Sequence, residues 1–434
     1  MVKCLEEEGV TRIFGYPGVA ISPFYEALYN AGTIEHVLVR QEQAAGHAAS
    51  GYARISRKAA VCVTSSGPGA TNLITALATA YADSIPLIAI TGQVNSNLLG
   101  RDVFQEADMR GSTESFVKYS YLVKSADDIP RIFKEAFYIA STGRKGPVLI
   151  DIPCDVQIDL LKKSFDYTSE VNIRGYKPST KGNNPQMHKV VAAINKAKKP
   201  LICAGGGVIL GNGEECVRQF CEKNNIPLVT TMMGIGVMPK NHPLYFGMLG
   251  NNGKPYANRA VANSDLLIIA GARIADRAVP KPENLEQQVN IIHIDIDTAE
   301  IGKNLGPTIP LVGDIKSIFD RLLQENISID TSNWIETLQD IKKSTVDHRV
   351  FSDKLVNPML LVQHLSEKMD DDAIYVADVG QNQLWSADNY VMKNGRFLTS
   401  GGMGTMGYSI PAGIGAKMCT PDKQVVVVCG DGSF

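Results

Sequence analysis

Four short runs in this 434-residue chain carry residue types that could do chemistry. The first is Arg40-Gln41-Glu42-Gln43-Ala44-Ala45-Gly46-His47-Ala48-Ala49, where a strand is expected to end near Arg40 and an alanine-rich helix to begin near Gln43. Glu42 then lies at the carboxyl end of a strand and the amino end of a helix, where open α/β sheets take their ligands. A carboxyl group in such a place is pulled two ways, upward by burial and downward by the helix terminus, so it can be tuned for proton transfer. A first-turn glutamate that merely satisfies backbone amides is the plainer alternative. The second run, Ser65-Ser66-Gly67-Pro68-Gly69-Ala70-Thr71-Asn72, reads as strand, tight turn, helix; its glycines let backbone approach a ligand, and its leading amides can bind polar groups. An ordinary strand-to-helix turn would look the same.

The third run, Gly401-Gly402-Met403-Gly404-Thr405-Met406-Gly407, satisfies G-x-G-x-x-G from Gly402 onward. No β run directly precedes it and no clean acidic partner ends a strand about 20 residues on, so a nicotinamide fingerprint is discounted. In the fourth, Val425-Val426-Val427-Val428-Cys429-Gly430-Asp431-Gly432-Ser433-Phe434, a buried strand is expected to deliver Asp431 between two glycines. That arrangement suits Mg²⁺, which favours a carboxylate plus phosphate oxygens, although a generic turn explains it too.

The elements that must position these runs alternate between short β-branched stretches and helical periods, the pattern of parallel α/β layers. Buried strands are expected at Val37–Arg40, Ala60–Thr64, Leu87–Thr91, Val148–Ile152, Leu201–Ala204, Leu266–Ala270, Ile291–Asp295, Ile374–Ala377 and Val425–Cys429. Asn184-Pro185 and Asn357-Pro358 each offer a helix cap and a proline at the first helical position. Met187, Val190, Val191 and Ile194 mark one apolar face of the first helix; Leu361, Leu365 and Met369 mark the expected stripe of the second. Polar stretches at 161–184, read as a linker, and at 330–353, read as helical with Trp334 and Leu338 inward, separate three expected domains at 1–160, 184–320 and 350–434. The last has only about 80 residues and stops at Phe434 just after a strand and a glycine turn, so the chain reads as cut short at its carboxyl end.

Composition sets the outer bounds. An apolar fraction of 44% with 20% charged residues excludes a disordered chain, a collagen and a coiled coil. The net charge of −2 leaves no basic surplus for nucleic acid or an acidic membrane, and no run approaches the roughly 18 apolar residues of a membrane span. Three glutamates near the start argue against a signal peptide. The eight cysteines lack C-x-x-C spacing, and Cys62, Cys203 and Cys429 sit in apolar runs, as expected of reduced thiols in a cytoplasmic protein. The seven histidines show no metal-ligand spacing.

Taken together, the runs F-G-Y-P-G, R-Q-E-Q-A-A-G-H-A-A-S-G-Y-A-R, S-S-G-P-G-A-T-N, I-T-G-Q-V, F-Q-E-A-D, V-G-Q-N-Q-L-W, S-G-G-M-G-T-M-G-Y-S-I-P-A and G-D-G-S-F occur in the order found in thiamine diphosphate enzymes. The chain resembles, within them, the large catalytic subunit of acetolactate synthase (acetohydroxyacid synthase), over essentially its whole length. The resemblance implies three doubly wound parallel-sheet α/β domains (pyrimidine-binding, central, diphosphate-binding), the last incomplete. It implies thiamine diphosphate and Mg²⁺ as cofactors, with a structural, non-redox FAD in the central domain. Its activity would be decarboxylation of pyruvate and transfer of the two-carbon unit to a second 2-keto acid, in branched-chain amino-acid biosynthesis. The partners implied are 2-keto acid substrates, a second copy in a homodimer or homotetramer, and a small regulatory subunit.

Residue by residue, the resemblance makes Glu42 the carboxylate that hydrogen-bonds the cofactor pyrimidine and so favours the imino tautomer that takes the thiazolium C2 proton. Phe104 and Gln105 match the substrate pocket, Gly67 and Pro68 the cofactor turn, and Gly404 with Met406 the segment that props the cofactor into a bent shape. Gly380, Gln381 and Asn382 match the diphosphate-contacting run; Asp431, within Gly430 to Ser433 (Gly430, Gly432 and Ser433 flanking it), matches a Mg²⁺ ligand. Arg144, Gly205, Gly206, Gly207, Arg273, Asp295 and Asp314 match FAD contacts. A second metal-binding asparagine is expected some thirty residues past Asp431. The chain departs from the family at Val19 (usually glycine, close to the thiazolium), Gln41 and Asn382 (usually histidine), Cys154 (usually lysine) and Asn251-Asn252 (usually methionine and histidine). A decarboxylase or ligase for another 2-oxo acid, an NAD- or FAD-linked oxidoreductase, and a non-catalytic paralogue are the rival readings.

Overall fold

Strands without polar alternation need cover on both faces, and parallel sheets flanked by helices supply it. The computed structural model describes residues 1–434 except 168–169, 280, 307, 346–351 and 353. The expected domain start at 350 and the end of the polar stretch at Asp353 lie outside the described residues. By contacts the chain divides into two units, Met1–Lys177 with Leu398–Phe434, and Pro178–Phe397.

In the first unit, β1 (Arg12–Gly15), β2 (Glu35–Leu38), β3 (Ala60–Thr64), β4 (Leu87–Gln93), β5 (Tyr119–Leu122) and β6 (Pro147–Pro153) form a sheet in the order β2-β1-β3-β4-β6-β5, parallel throughout. Its core gathers Phe24, Leu28, Phe133 and Phe137 against the valines and isoleucines of the central strands. The helices Glu42–Ser56 and Ser409–Cys419 lie so close that a Cβ on Gly51 would strike the backbone of Ala412, and one on Gly415 the backbone of Ala48. The alanine and glycine richness of both helices is therefore a packing requirement.

The register of β4 on β6 sets Thr91 beside Asp151. The Thr91 hydroxyl donates to Asp151 Oδ1 at 2.7 Å, and Gln93 Nε2 donates to Oδ2 at 3.0 Å. Burial pushes the Asp151 carboxyl up to about 7 against the pull of those two donors, and the charge of Asp108 adds to the rise. The folded state thus keeps this proton up to about pH 7, whereas an unfolded chain releases it near 4. Stability from this group is complete below about pH 4 and lost as pH rises through 7. Three units correspond to at most about 4 kcal/mol; denaturant titrations of Asp151→Asn should show that decline flattened, and an unchanged slope would remove Asp151 as its source.

In the second unit, β7 (Pro200–Ala204), β8 (Leu228–Thr230), β9 (Tyr245–Met248), β10 (Leu266–Ala270), β11 (Asn290–Asp295) and β12 (Ile309–Val312) form a parallel sheet in the order β12-β11-β10-β7-β8-β9. The strand order reverses between β7 and β10, the kind of point at which such sheets bind ligands. The strands β13 (Ile374–Ala377), β14 (Arg396–Leu398) and β15 (Val425–Val428) make a third sheet of three strands, ordered β14-β13-β15. The three α/β layers agree with the fold class expected from the sequence.

Several local expectations are corrected. The strand placed at Val37–Arg40 is Glu35–Leu38, because Gln41 already serves as the helix cap. The cap before Pro185 is Asn183, whose side chain accepts from Gln186 N at 3.3 Å, so Asn184 is already helical. The helix Pro358–Lys368 buries Met359, Val362 and Ser366; of the expected stripe Leu361 is exposed and Leu365 half-buried, while Met369, just past the helix, is buried, so the helix is turned from the stripe except at its end. β15 is half-exposed along its length because it is the outermost strand of its sheet among the described residues. The linker segment bears no helix or strand from Asp159 to Asn183 in the described residues, yet Phe165, Tyr167 and Tyr176 pack back onto the first core.

Candidate active site

Gln41 is extended and its side-chain oxygen accepts from Ala44 N at 3.0 Å, which starts the helix Glu42–Ser56 one residue earlier than expected. Glu42 therefore occupies the first turn, half-buried, where the helix dipole favours a negative charge. Its Oε2 accepts from Asn72 Nδ2 at 2.9 Å. Asn72 follows the short helix Pro68–Thr71, whose entry is set by Gly67 at φ +57°, a left-handed conformation that suits glycine. A Cβ on Gly69 would sit 3.4 Å from Glu42 Oε1, so the carboxylate lies over this turn. A Cβ on Gly67 would meet Gln105 Cβ at 2.9 Å. The fold thus brings Glu42, Gly67, Pro68 and Gln105 to one place.

Asn72 carries no site signal of its own in the sequence, although it ends the S-S-G-P-G-A-T-N run. Its amide is the group that holds Glu42, and only a contact across thirty residues reveals it. Gln105 sits at φ +59°, a conformation that costs a non-glycine residue about 1–3 kcal/mol and is retained where the surroundings enforce it. The loop around it is tied by Glu106, whose carboxylate accepts from the amides of Gly100 and Val103 and is held below the usual carboxylate range by the Gly100 amide first. Phe104 is 87% exposed beside it. Gly18 presses on Ser65, with a Cβ at 2.5 Å from Ser65 Oγ, whereas Val19 is 85% exposed and crowds nothing in the unit.

The glycine-rich third run leaves β14 and turns at Gly404 (φ +67°) and Gly407 (φ +87°). Asp83 holds it, with Oδ1 accepting from Gly402 N at 2.7 Å and Oδ2 from Gly401 N at 3.2 Å, while the Thr79 and Thr405 hydroxyls lie 2.7 Å apart. Met406 is presented exposed at the tip. Ser433 reaches the same loop, its hydroxyl accepting from Gly407 N at 3.2 Å. Gly430 caps the single turn Asp431–Ser433, and a Cβ on Gly432 would meet nothing, so backbone there is open to a ligand. One exposed carboxylate at such a turn fits Mg²⁺, which completes its octahedron with phosphate oxygens and water. Among the described residues no group of three or more His, Cys, Asp or Glu converges as a metal site.

In the second unit, Gly380 at φ +122° caps the helix Gln381–Asn389 directly beyond β13, and Asn382 Nδ2 donates to Asp378 O at 3.0 Å. Gly205 to Gly207 follow β7 at the reversal point, but Gly205 and Gly207 are pressed on the backbone of Gly271, so these two glycines serve close packing of the β7 and β10 loops. Asp295 closes β11 and accepts from Asp297 N at 2.9 Å; Asp314 caps the helix Ile315–Leu322 through Ser317 N at 2.9 Å. Arg273 follows β10 in the same crevice. Beside it, buried His293 has no partner for Nδ1, while Nε2 pairs with Ala272 O at 3.1 Å; burial keeps its pKa low. This orphaned acceptor and the acid at the strand end fit a dinucleotide. Arg144 belongs to the first unit, where Nε donates to Ser84 Oγ at 3.0 Å.

A first-turn carboxylate over a glycine turn, on parallel α/β sheets, lies where such sheets take ligands, and likeness to known proteins gives the class. Family models match residues 1–112 (thiamine pyrophosphate enzyme, N-terminal TPP binding domain), 187–322 (central domain) and 378–434 (C-terminal TPP binding domain). The chain is thus a thiamine pyrophosphate enzyme. All of it aligns with a probable acetolactate synthase large subunit of Methanocaldococcus jannaschii at 46% identity, covering 75% of that protein. It aligns likewise with acetolactate synthase large subunits of Corynebacterium glutamicum at 44%, covering 70%, and of Lactococcus lactis subsp. lactis at 43%, covering 76%. The chain belongs to the acetolactate synthase large-subunit family, enzymes that form carbon–carbon bonds with thiamine diphosphate. Among the described residues no helix is long and apolar enough to cross a membrane.

Proposed function

We propose that the chain decarboxylates pyruvate and joins the two-carbon unit to a second 2-keto acid, giving 2-acetolactate or 2-aceto-2-hydroxybutyrate for branched-chain amino-acid biosynthesis in the cytoplasm. The observation that carries this reading is the Glu42 carboxylate, fixed through Oε2 by Asn72 and lying over Gly69 beside Gln105. When bound, thiamine diphosphate supplies a carbon nucleophile and an electron sink for the CO₂-releasing step. Glu42 Oε1 would share a proton with the pyrimidine nitrogen, and Asn72 would keep the carboxylate from rotating away. Gln105 and Phe104 would contact the 2-keto acid, and Gly67, Pro68, Gly404 and Met406 would hold the cofactor.

Asp431 would hold Mg²⁺, with Gly430, Gly432, Ser433, Gly380, Gln381 and Asn382 offering amides and side chains to diphosphate. Gly205 to Gly207, Arg273, Asp295, Asp314 and Arg144 would hold a structural FAD. On this reading 1–160 binds pyrimidine, 184–320 is the central domain and 350–434 belongs to the diphosphate domain. The assembly is a homodimer or homotetramer in which Glu42 serves the partner's diphosphate domain, joined by the small subunit that the relatives' name, large subunit, supports. Product analysis on pyruvate, with and without 2-oxobutyrate, tests it: 2-acetolactate and the mixed product are expected, and inertness toward pyruvate would remove it.

A further inference from the structure

The second unit contains a cavity of about 440 Å³ that none of the assignments above uses. It lies along β9, the edge strand on the side of the sheet away from β10 and β11, and is therefore separate from the crevice between β7 and β10. Four lysines line it, Lys240, Lys254, Lys342 and Lys393, against the carboxylates of Asp388 and Glu367. Lys393 is already paired with Asp371 at 2.6 Å. Lys254 takes Asp388 Oδ1 at 2.6 Å. Lys240 donates only to carbonyls, Asp388 O at 2.6 Å and Tyr390 O at 3.2 Å, so its charge is solvated but not neutralised. Lys342 stands at the rim with its ammonium 5.8 Å and 5.6 Å from the ring centres of Phe246 and Tyr256.

The surplus is felt electrically. The pKa of Lys240 is drawn down to about 8 by burial first and by Lys254 and Lys342 as well, and Lys342 is lowered by burial and by Lys254. With Lys393 paired to Asp371, three ammonium groups face two carboxylates, Asp388 half-buried and Glu367 exposed, so one positive charge is left over and an anion entering the cavity is favoured. Lysine is a strong point-charge donor to phosphate. The remaining wall is apolar and aromatic, with Met238, Met248, Met392, Tyr245 and Tyr256. Such a volume suits one small molecule.

We propose that this cavity is a binding site for a small phosphate-bearing molecule with a flat apolar body, its phosphate between Lys240 and Lys342 and its body against Tyr256 and the methionines.

The test uses the full chain saturated with thiamine diphosphate, Mg²⁺ and FAD, so that phosphate sites in the cofactor crevices are filled. Calorimetric titration with phenyl phosphate should give saturable binding at one site per chain, tighter than inorganic phosphate. Lys342→Met, at an exposed position and keeping an unbranched apolar side chain, should weaken phenyl phosphate about tenfold or more, the scale of one charge-assisted hydrogen bond, and Lys342→Arg should retain most of the affinity. Absence of saturable heat in the wild type, an unchanged titration in Lys342→Met, or inorganic phosphate binding as tightly as phenyl phosphate would each overturn the assignment.

Discussion

Glu42→Gln is expected to slow exchange of the thiazolium C2 proton of bound cofactor by about 10²–10⁴-fold, the range typical of a lost general acid–base group. The substitution is nearly isosteric and leaves an oxygen that can still accept from Asn72 Nδ2, so the turn at Gly67 to Asn72 and the helix start should be undisturbed. What it removes is the carboxylate charge that, on the proposed reading, would hold a proton at a ring nitrogen. Cofactor affinity should therefore change far less than exchange. Asn72→Ala should fall between the two, because the carboxylate remains but is free to rotate. Nuclear magnetic resonance of deuterium exchange on the cofactor-saturated protein measures both; exchange within about threefold of wild type in Glu42→Gln would end the assignment of Glu42.

The second large effect is on stability. Arg54 Nη2 and Asp83 Oδ2 are 2.5 Å apart, with side chains 8% and 0% exposed, and the guanidinium lies 5.4 Å over the fully buried ring of Tyr408. Asp83→Ala removes the carboxylate that pairs with the buried Arg54 guanidinium and takes the acceptor from the amides of Gly401 and Gly402. Removing one partner of such a pair costs about 3–5 kcal/mol, whereas replacing both with apolar groups can be close to neutral. Asp83→Ala should thus destabilise strongly in urea. Arg54→Met with Asp83→Leu should recover a large part but not all, since the two loop amides stay unsatisfied. The Met406 loop hangs on those amides, so Asp83→Ala should also raise the concentration of thiamine diphosphate needed for half-saturation. If the double substitution were as destabilised as the sum of its singles, the ion pair would not be the source.

Much of the architecture is legible because its signals are local. Ala60–Thr64, Leu266–Ala270 and Ile374–Ala377 appear where continuous apolar runs put them, since a strand covered on both faces must be apolar at every position. Trp334 and Leu338 turn inward as their helical spacing implies. Six strands have no such signal: β1, β5, β8, β9, β12 and β14 are three or four residues long. Four of them either border a sheet edge or carry exposed positions, so their pattern is diluted. Arg12 and Tyr119 read as surface residues until a neighbouring strand supplies the hydrogen bonds.

The sequence by itself determined the chemistry on offer: a glutamate at a strand-to-helix junction, glycine turns where backbone can approach a ligand, and an aspartate beyond a valine strand. These depend on residue type and on neighbours a few positions away. Only the tertiary structure decided who holds whom. Asn72 steadies Glu42 from thirty residues off, Gln105 fills the space above Gly67, and Asp83 anchors a loop more than three hundred residues later. Such pairs leave no periodicity to read, because the energy of a buried hydrogen bond is set by distance and desolvation in space and is indifferent to separation along the chain.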